Sequence, residues 1–172
     1  MKYFKKSEFQ CKCCRQLPED ALVNVEALAD NVLDPTRERY GKPIKVNSGY
    51  RCPRNNSRVG GAKMSQHLCL GDSAAADVCC GEKTANMMEF KEQNMQIARQ
   101  IVRGGRFDQL ILENVGENDL LPAWVHVSWK RKGANRGQIL KKVAGKAGYQ
   151  VVSKDEICKL LGGGFKKVQP SK

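Results

Sequence analysis

The 172-residue chain contains only two histidines, His67 and His126, and each sits among residues suited to holding a metal. His67 lies in the polar, glycine-rich run RCPRNNSRVGGAKMSQH, and His126 lies between two valines in the alternating segment WVHVSW. A single histidine in such a strand is, on position alone, commonly a packed and hydrogen-bonded core residue. Asp77 supplies the third element: it ends AAAD, where small side chains leave room beside a carboxylate on a segment that reads as buried. A buried carboxylate is costly unless it is paired or bound to a cation. Two neutral imidazoles and one carboxylate make a tetrahedral zinc site whose fourth position is left to water. Zinc lowers the pKa of such a water toward about 7, so the chemistry implied is hydrolysis.

The elements that must position these residues are legible in outline. Residues 18–40 read as a helix: Pro18 suits the first turn, Ala21, Leu22, Val25, Leu28, Ala29 and Val32 recur at helical spacing, and Gly41 ends it. Pro35 within this span is expected to kink or split it. IKVNSGY at 44–50 alternates like a strand, the run up to His67 reads as loop, and 74–80 reads as a short buried strand. A second helix is expected from Thr84, as N-cap, to Val102, closed by Gly104-Gly105. Its inner stripe would be Met87, Phe90, Ile97, Ala98 and Ile101, broken by Asn94. DQLILEN at 108–114 and WVHVSW at 124–129 read as further strands; in the latter Trp124, His126 and Ser128 share one face. QILKKV and YQVV suggest edge strands. SKDEICKLLG suggests a short helix with Ser153 and Glu156 as a capping box. The closing run GGGFKKVQPSK reads as mobile. The expected assembly is a single α+β domain with a central antiparallel sheet flanked by helices, covering 1–150, followed by a short helix and basic tail over 151–172.

Composition narrows the function classes. A hydrophobic content of 41% fits a folded domain, and no stretch approaches the roughly 20 apolar residues of a membrane span. The N-terminal MKYFKKSEFQCKCC lacks the apolar run of a secretory signal, so synthesis in the cytoplasm is the expectation. A net charge of +12 draws the chain toward polyanions, whether nucleic acid, anionic lipid or cell-wall polymers. No aromatic-interleaved basic patch or nucleic-acid-binding motif accompanies that charge, so nucleic acid is not the expected partner. Of the eight cysteines, only Cys11 and Cys14 form a CxxC, with Cys13 inside it. Scattered reduced thiols are the expectation, and the alternative is a small structural zinc site joining this cluster to Cys52.

The run VNSGYRCPRNNSRVGGAKMSQHLCLGDSAAADV, followed by FDQLILE and WVHVSW, resembles the zinc D-alanyl-D-alanine carboxypeptidases and related phage cell-wall endopeptidases, which share a fold with the hedgehog signalling domain. The resemblance spans about residues 4–143. It implies one zinc ion per chain held by His67, Asp77 and His126, the first two from a motif of the form SxHxxGxAxD and the last from a later strand. Here Asp77 lies ten residues after His67 instead of seven. Asp72 is therefore a rival ligand, although its place beside Gly71 and Ser73 reads as a turn. Some relatives carry an acid three residues before the last histidine, where this chain has Ala123. The resemblance then points to Glu113, at the end of FDQLILE, as the base. Arg51 resembles the arginine that binds the substrate carbonyl or its developing oxyanion. Ser65 would hold a substrate carboxylate or orient the histidine loop, Trp124 and Ser128 would line the cleft, and Tyr50 would face the core.

The activity so implied is hydrolysis of peptidoglycan stem peptides, as a carboxypeptidase or an endopeptidase, by a monomer. It would act at the cell wall or periplasm after phage-type release or non-standard export, with the positive charge aiding adhesion to anionic envelope polymers. The competing reading is a zinc-containing domain that binds cell wall or protein without cleaving it.

Overall fold

The computed structural model describes residues 1–159; the run GGGFKKVQPSK, read above as mobile, lies outside them. Helix α1 (Glu19–Leu28) passes through a wider turn, Ala29–Leu33, into helix α2 (Asp34–Tyr40). The expected interruption at Pro35 takes this form because proline has no N–H for an i→i−4 bond. The Asp34 N–H instead reaches five residues back, to the Ala29 carbonyl. Gly41, at φ 74°, ends α2.

Among the described residues six strands follow: β1 (Ile44–Ser48), β2 (Ser73–Cys80), β3 (Gln109–Val115), β4 (Trp124–Lys130), β5 (Gln138–Val143) and β6 (Gln150–Val151), in the sheet order β1-β2-β4-β3-β5-β6. Every pair is antiparallel except β3 and β5, which run parallel, so the expected antiparallel sheet is mixed. The cause is topological. Both edges of β4 are taken, by β2 and β3. The chain returning through 131–137 therefore passes to the free edge of β3, where the same reversal makes it parallel.

The segment read as loop before His67 contains a short helix, α3 (Pro53–Arg58), with Pro53 in its first turn and Cys52 as its cap, then a 3-10 turn over Gln66–Leu68. Helix α4 (Met87–Gly104) starts later than expected. Asn86, not Thr84, is the cap, its side chain accepting from the Glu89 N–H, and Gly105 at φ 66° closes the helix. Met87 is correspondingly exposed and no part of the inner stripe. The last helix among the described residues, α5 (Lys154–Lys159), carries the expected capping box: the Glu156 carboxylate accepts from the Ser153 N–H, and Ser153 Oγ accepts from the Glu156 N–H.

Strand alternation divides the sheet into two functional faces. Ala74, Ala76, Val78, Leu110, Leu112, Val125, Val127 and Ile139 pack against α1 and α4 in one core, which Val152 and Ile157 join. Tyr50 also packs against it. Asp77, His126, Ile111 and Glu113 project from the opposite face. The polar interruption of α4, Asn94, is wholly buried. Its Oδ1 accepts from the Cys80 N–H at 2.7 Å, and its Nδ2 donates to the carbonyls of Pro122 and Ala123. It thus ties β2 to the entry of β4, the two strands that carry Asp77 and His126. Asn94→Ala orphans the Cys80 N–H and both carbonyls, and is expected to destabilise the fold by about 2–4 kcal/mol, read as a lower urea midpoint at unchanged m.

Candidate metal centre

Strand register brings the site together. Asp77 on β2 lies directly opposite His126 on β4, and Ile111 on β3 lies opposite His126 on its other side. A bulge in β1 between Val46 and Ser48 sets Ser48, not Asn47, opposite Asp77. His67 arrives from the 3-10 turn, whose cap is Ser65: the Ser65 hydroxyl accepts from the His67 N–H at 3.3 Å. Ser65 thus orients the histidine loop while also lining the cleft.

The three ligand atoms converge. His67 Nε2 lies 3.2 Å from Asp77 Oδ1 and 3.1 Å from His126 Nδ1, and His126 Nδ1 lies 3.0 Å from the same carboxylate oxygen. Zinc bonds of about 2.0–2.2 Å in a tetrahedron put ligand atoms roughly 3.3–3.5 Å apart, within a few tenths of these separations. The tautomer supports the fit. The Gly49 carbonyl, 2.8 Å from His67 Nδ1, takes the proton on that nitrogen. Nε2 of the neutral ring is then left with a lone pair aimed at a carboxylate, and a cation resolves that juxtaposition. All three residues are buried. Burial works against the Asp77 carboxylate, but its close contacts with His67 and His126 hold its pKa far below the usual range, so it stays ionised.

Arg51 is fixed three ways: its Nη2 donates to Asp77 Oδ2, its Nε to Ser48 Oγ at 3.0 Å, and its N–H to the His67 carbonyl at 2.7 Å. It leaves Oδ1 of Asp77 to face the histidines, and its Nη1 has no hydrogen-bond partner among the described residues. Asp72 is not among the three. It sits in the turn before β2, where its carbonyl accepts from the Arg131 N–H.

The centre lies in an open cleft of about 780 Å³ lined by Arg51, Ser65, His67, Asp77, Glu113, Trp124, His126 and Tyr149 among others. Glu113 stands two residues beyond Ile111 on the site face, beside the left-handed Asn114 (φ 57°) that bulges the β3–β5 ladder. Burial raises its pKa, the nearby His126 opposes the rise, and Asp77 adds to it. A half-buried carboxyl with a raised pKa suits proton transfer. Ala123, the other position weighed for a base, donates its N–H to the Glu113 carbonyl at 2.9 Å, so the two positions are neighbours where β4 begins. Ser128 shares the His126 face but lies outside the cleft. It is fully buried, accepting from the Gln109 N–H at 3.1 Å; packing at this inner row removes it from solvent.

Other residues here escaped the sequence reading. Asp108 is fully buried, accepts a fork of bonds from Arg136, and takes a further one from Gln66 Nε2 at 3.0 Å. Burial works against its charge, but Arg136 and Gln66 hold its pKa down to about 2. This network pins the residue before His67 to the 131–137 loop. The signal available was Gln66 itself, a polar side chain adjacent to His67. Tyr149, 56% exposed on the rim, reads in the sequence only as the first residue of the edge-strand segment YQVV.

A family model for Peptidase M15 matches residues 2–109. The chain belongs to this peptidase family, whose members are zinc metallopeptidases, and His67, Asp77 and His126 form a cluster that could hold such a metal ion. No curated protein matches the chain. Among the described residues no helix is long and apolar enough to cross a membrane.

Proposed function

We infer that the chain hydrolyses peptide bonds in the stem peptides of peptidoglycan, with His67, Asp77 and His126 holding zinc at the floor of the cleft. The observation that carries this reading is the convergence of three ligand atoms on one point beside a half-buried carboxylate, in a cleft open enough for a peptide. Zinc held there supplies Lewis-acid activation of water and polarisation of the scissile carbonyl. Glu113 takes a proton from the attacking water and returns it to the leaving amine. The Nη1 of Arg51 is the donor for the substrate carbonyl, while the rest of that guanidinium fixes Asp77. Trp124 and Tyr149 flank the bound peptide. The +12 charge favours residence on an anionic envelope, at the cell wall, where the monomer would meet its substrate.

Purified chain incubated with peptidoglycan fragments is expected to release new amine ends. His126→Ala, or removal of zinc by a chelator, is expected to abolish that release, and zinc added back restores only the wild type. Release of free D-alanine marks a carboxypeptidase, and shortened cross-links mark an endopeptidase. Binding of fragments without any new amine ends, in zinc-replete wild type, would show a binding domain instead. Undiminished cleavage by His126→Ala would overturn the metal assignment.

A further inference from the structure

A second cluster of metal-binding side chains lies outside the cleft. Cys11, Cys13 and Cys14 are far from Cys52 in sequence, but the fold closes the distance: the Tyr50 N–H donates to the Phe9 carbonyl at 2.9 Å, drawing the first turn onto the segment 49–52. Gly49 permits this approach, since a Cβ there would stand 2.6 Å from the Phe9 Cα. The four Sγ atoms lie within 4.8 Å of one another, with Cys11 to Cys13 at 3.5 Å and Cys13 to Cys52 at 3.3 Å. A disulfide requires about 2.05 Å, and all four residues are free thiols. A tetrahedral zinc with bonds of about 2.3 Å sets sulfurs roughly 3.8 Å apart, close to what is seen.

The backbone is shaped for thiolates as well. The chain doubles back at once after Cys11: the Arg15 N–H reaches the Cys11 carbonyl at 2.8 Å, the Cys11 N–H reaches the Gln16 carbonyl at 2.9 Å, and Arg15 takes φ 58°. Two N–H groups already point at sulfur, Cys52 toward Cys11 Sγ and Asn55 toward Cys52 Sγ, both at 3.4 Å. Such donors favour the ionised form of sulfur. Cationic side chains surround the cluster: Lys12 and Arg15 flank it in sequence, and Arg54 and Arg58 share a surface pocket with Cys13.

We propose that Cys11, Cys13, Cys14 and Cys52 bind a second zinc ion in a closed, structural tetrathiolate site. On binding, the four thiols release four protons to solvent and the ion takes four sulfur bonds, leaving a net charge of −2 that the surrounding arginines and lysine offset. No oxidant takes part. With all four positions filled by protein, the ion has no place for water and no catalytic role. Its effect is mechanical. Cys52 is joined through Arg51 and Tyr50 to Gly49, and this segment supplies the carbonyl that orients His67 and the guanidinium that holds Asp77. The second ion thereby braces the first.

Metal content of the full chain, purified under reducing conditions with zinc, tests this. Wild type is expected to carry two zinc ions, His126→Ala one, and Cys52→Ser one. In cobalt-loaded His126→Ala the intense thiolate-to-cobalt charge-transfer absorption is expected, and Cys52→Ser abolishes it. Should Cys52→Ser fail to fold, alkylation of native His126→Ala decides: Cys13, Cys14 and Cys52 are protected by zinc and become reactive on chelation, while exposed Cys158 reacts throughout. A metal-free His126→Ala, alkylation indifferent to chelator, or a mass deficit of one disulfide would overturn the proposal. Because these readouts use a variant without the histidine site, they stand apart from any failure of the peptidase reading.

Discussion

Asp77→Asn is expected to lose zinc from the histidine site while keeping the fold. Asparagine preserves the size of the side chain but removes the only negative ligand. Without that charge, the Arg51 guanidinium, held beside Oδ2, faces a dication across a neutral amide in a buried setting. Changes to groups that merely orient a ligand already cost 10–100-fold in metal affinity, so losing this ligand is expected to weaken zinc by more than about 100-fold. Competition with a chromophoric chelator measures the loss, and peptidase activity falls with it at limiting zinc. Arg51 is part-exposed, so water relieves some of the lost pairing and the variant remains folded. Asp72→Asn is the control. Its backbone, not its carboxylate, is what the structure uses, and both zinc affinity and activity are expected to stay at the wild-type level. Wild-type affinity in Asp77→Asn would move the ligand elsewhere and sink the assignment.

The approach of His67, Asp77 and His126 was legible because each announces itself locally. Two histidines alone in the chain, one in a valine-flanked strand, and a carboxylate after three alanines are signals carried by adjacent residues. The extra length between His67 and Asp77 does not keep the two apart, for a structural reason: Cys69 (φ 53°) and Gly71 (φ 63°) turn the chain through 69–72 before β2 begins, so the insertion is spent in a turn. What the sequence hid depends on contacts between distant segments. The bulge that aims Ser48 at Asp77, the Gly49 carbonyl that sets the His67 tautomer, and the Asp108 fork to Arg136 are register and loop-closure effects with no local pattern. The parallel placement of β5 has the same origin, since nothing in QILKKV says which edge is free. The split at Pro35 was readable, but its wide turn was not, because proline marks where a helix is disturbed and not how the chain repairs it. Helix α3 was obscured by its own asparagines and serine, which favour loops until Cys52 and Pro53 cap the turn.

Glu113→Gln separates holding zinc from using it. The side chain lines the cleft on the strand beside His126 but is no member of the ligand cluster, so zinc content is expected to remain that of wild type. Glutamine keeps the shape and can donate a hydrogen bond, yet it cannot accept the proton of the attacking water. General-base contributions run to about 10²–10⁴-fold, and kcat is expected to fall by that order with KM little changed. The pH profile makes the test specific to proton transfer. Burial raises the Glu113 pKa, so the folded protein binds its proton to a higher pH than an ordinary glutamate at about 4.3. The base is competent only once that proton has left, so kcat/KM of the wild type climbs with pH on an acid limb that belongs to Glu113. In the glutamine variant the residual rate has no such limb, because nothing titrates at that position. A variant that kept both the limb and most of the rate would assign the base to another group. Loss of rate with the limb intact would make Glu113 a positioning residue for the cleft instead.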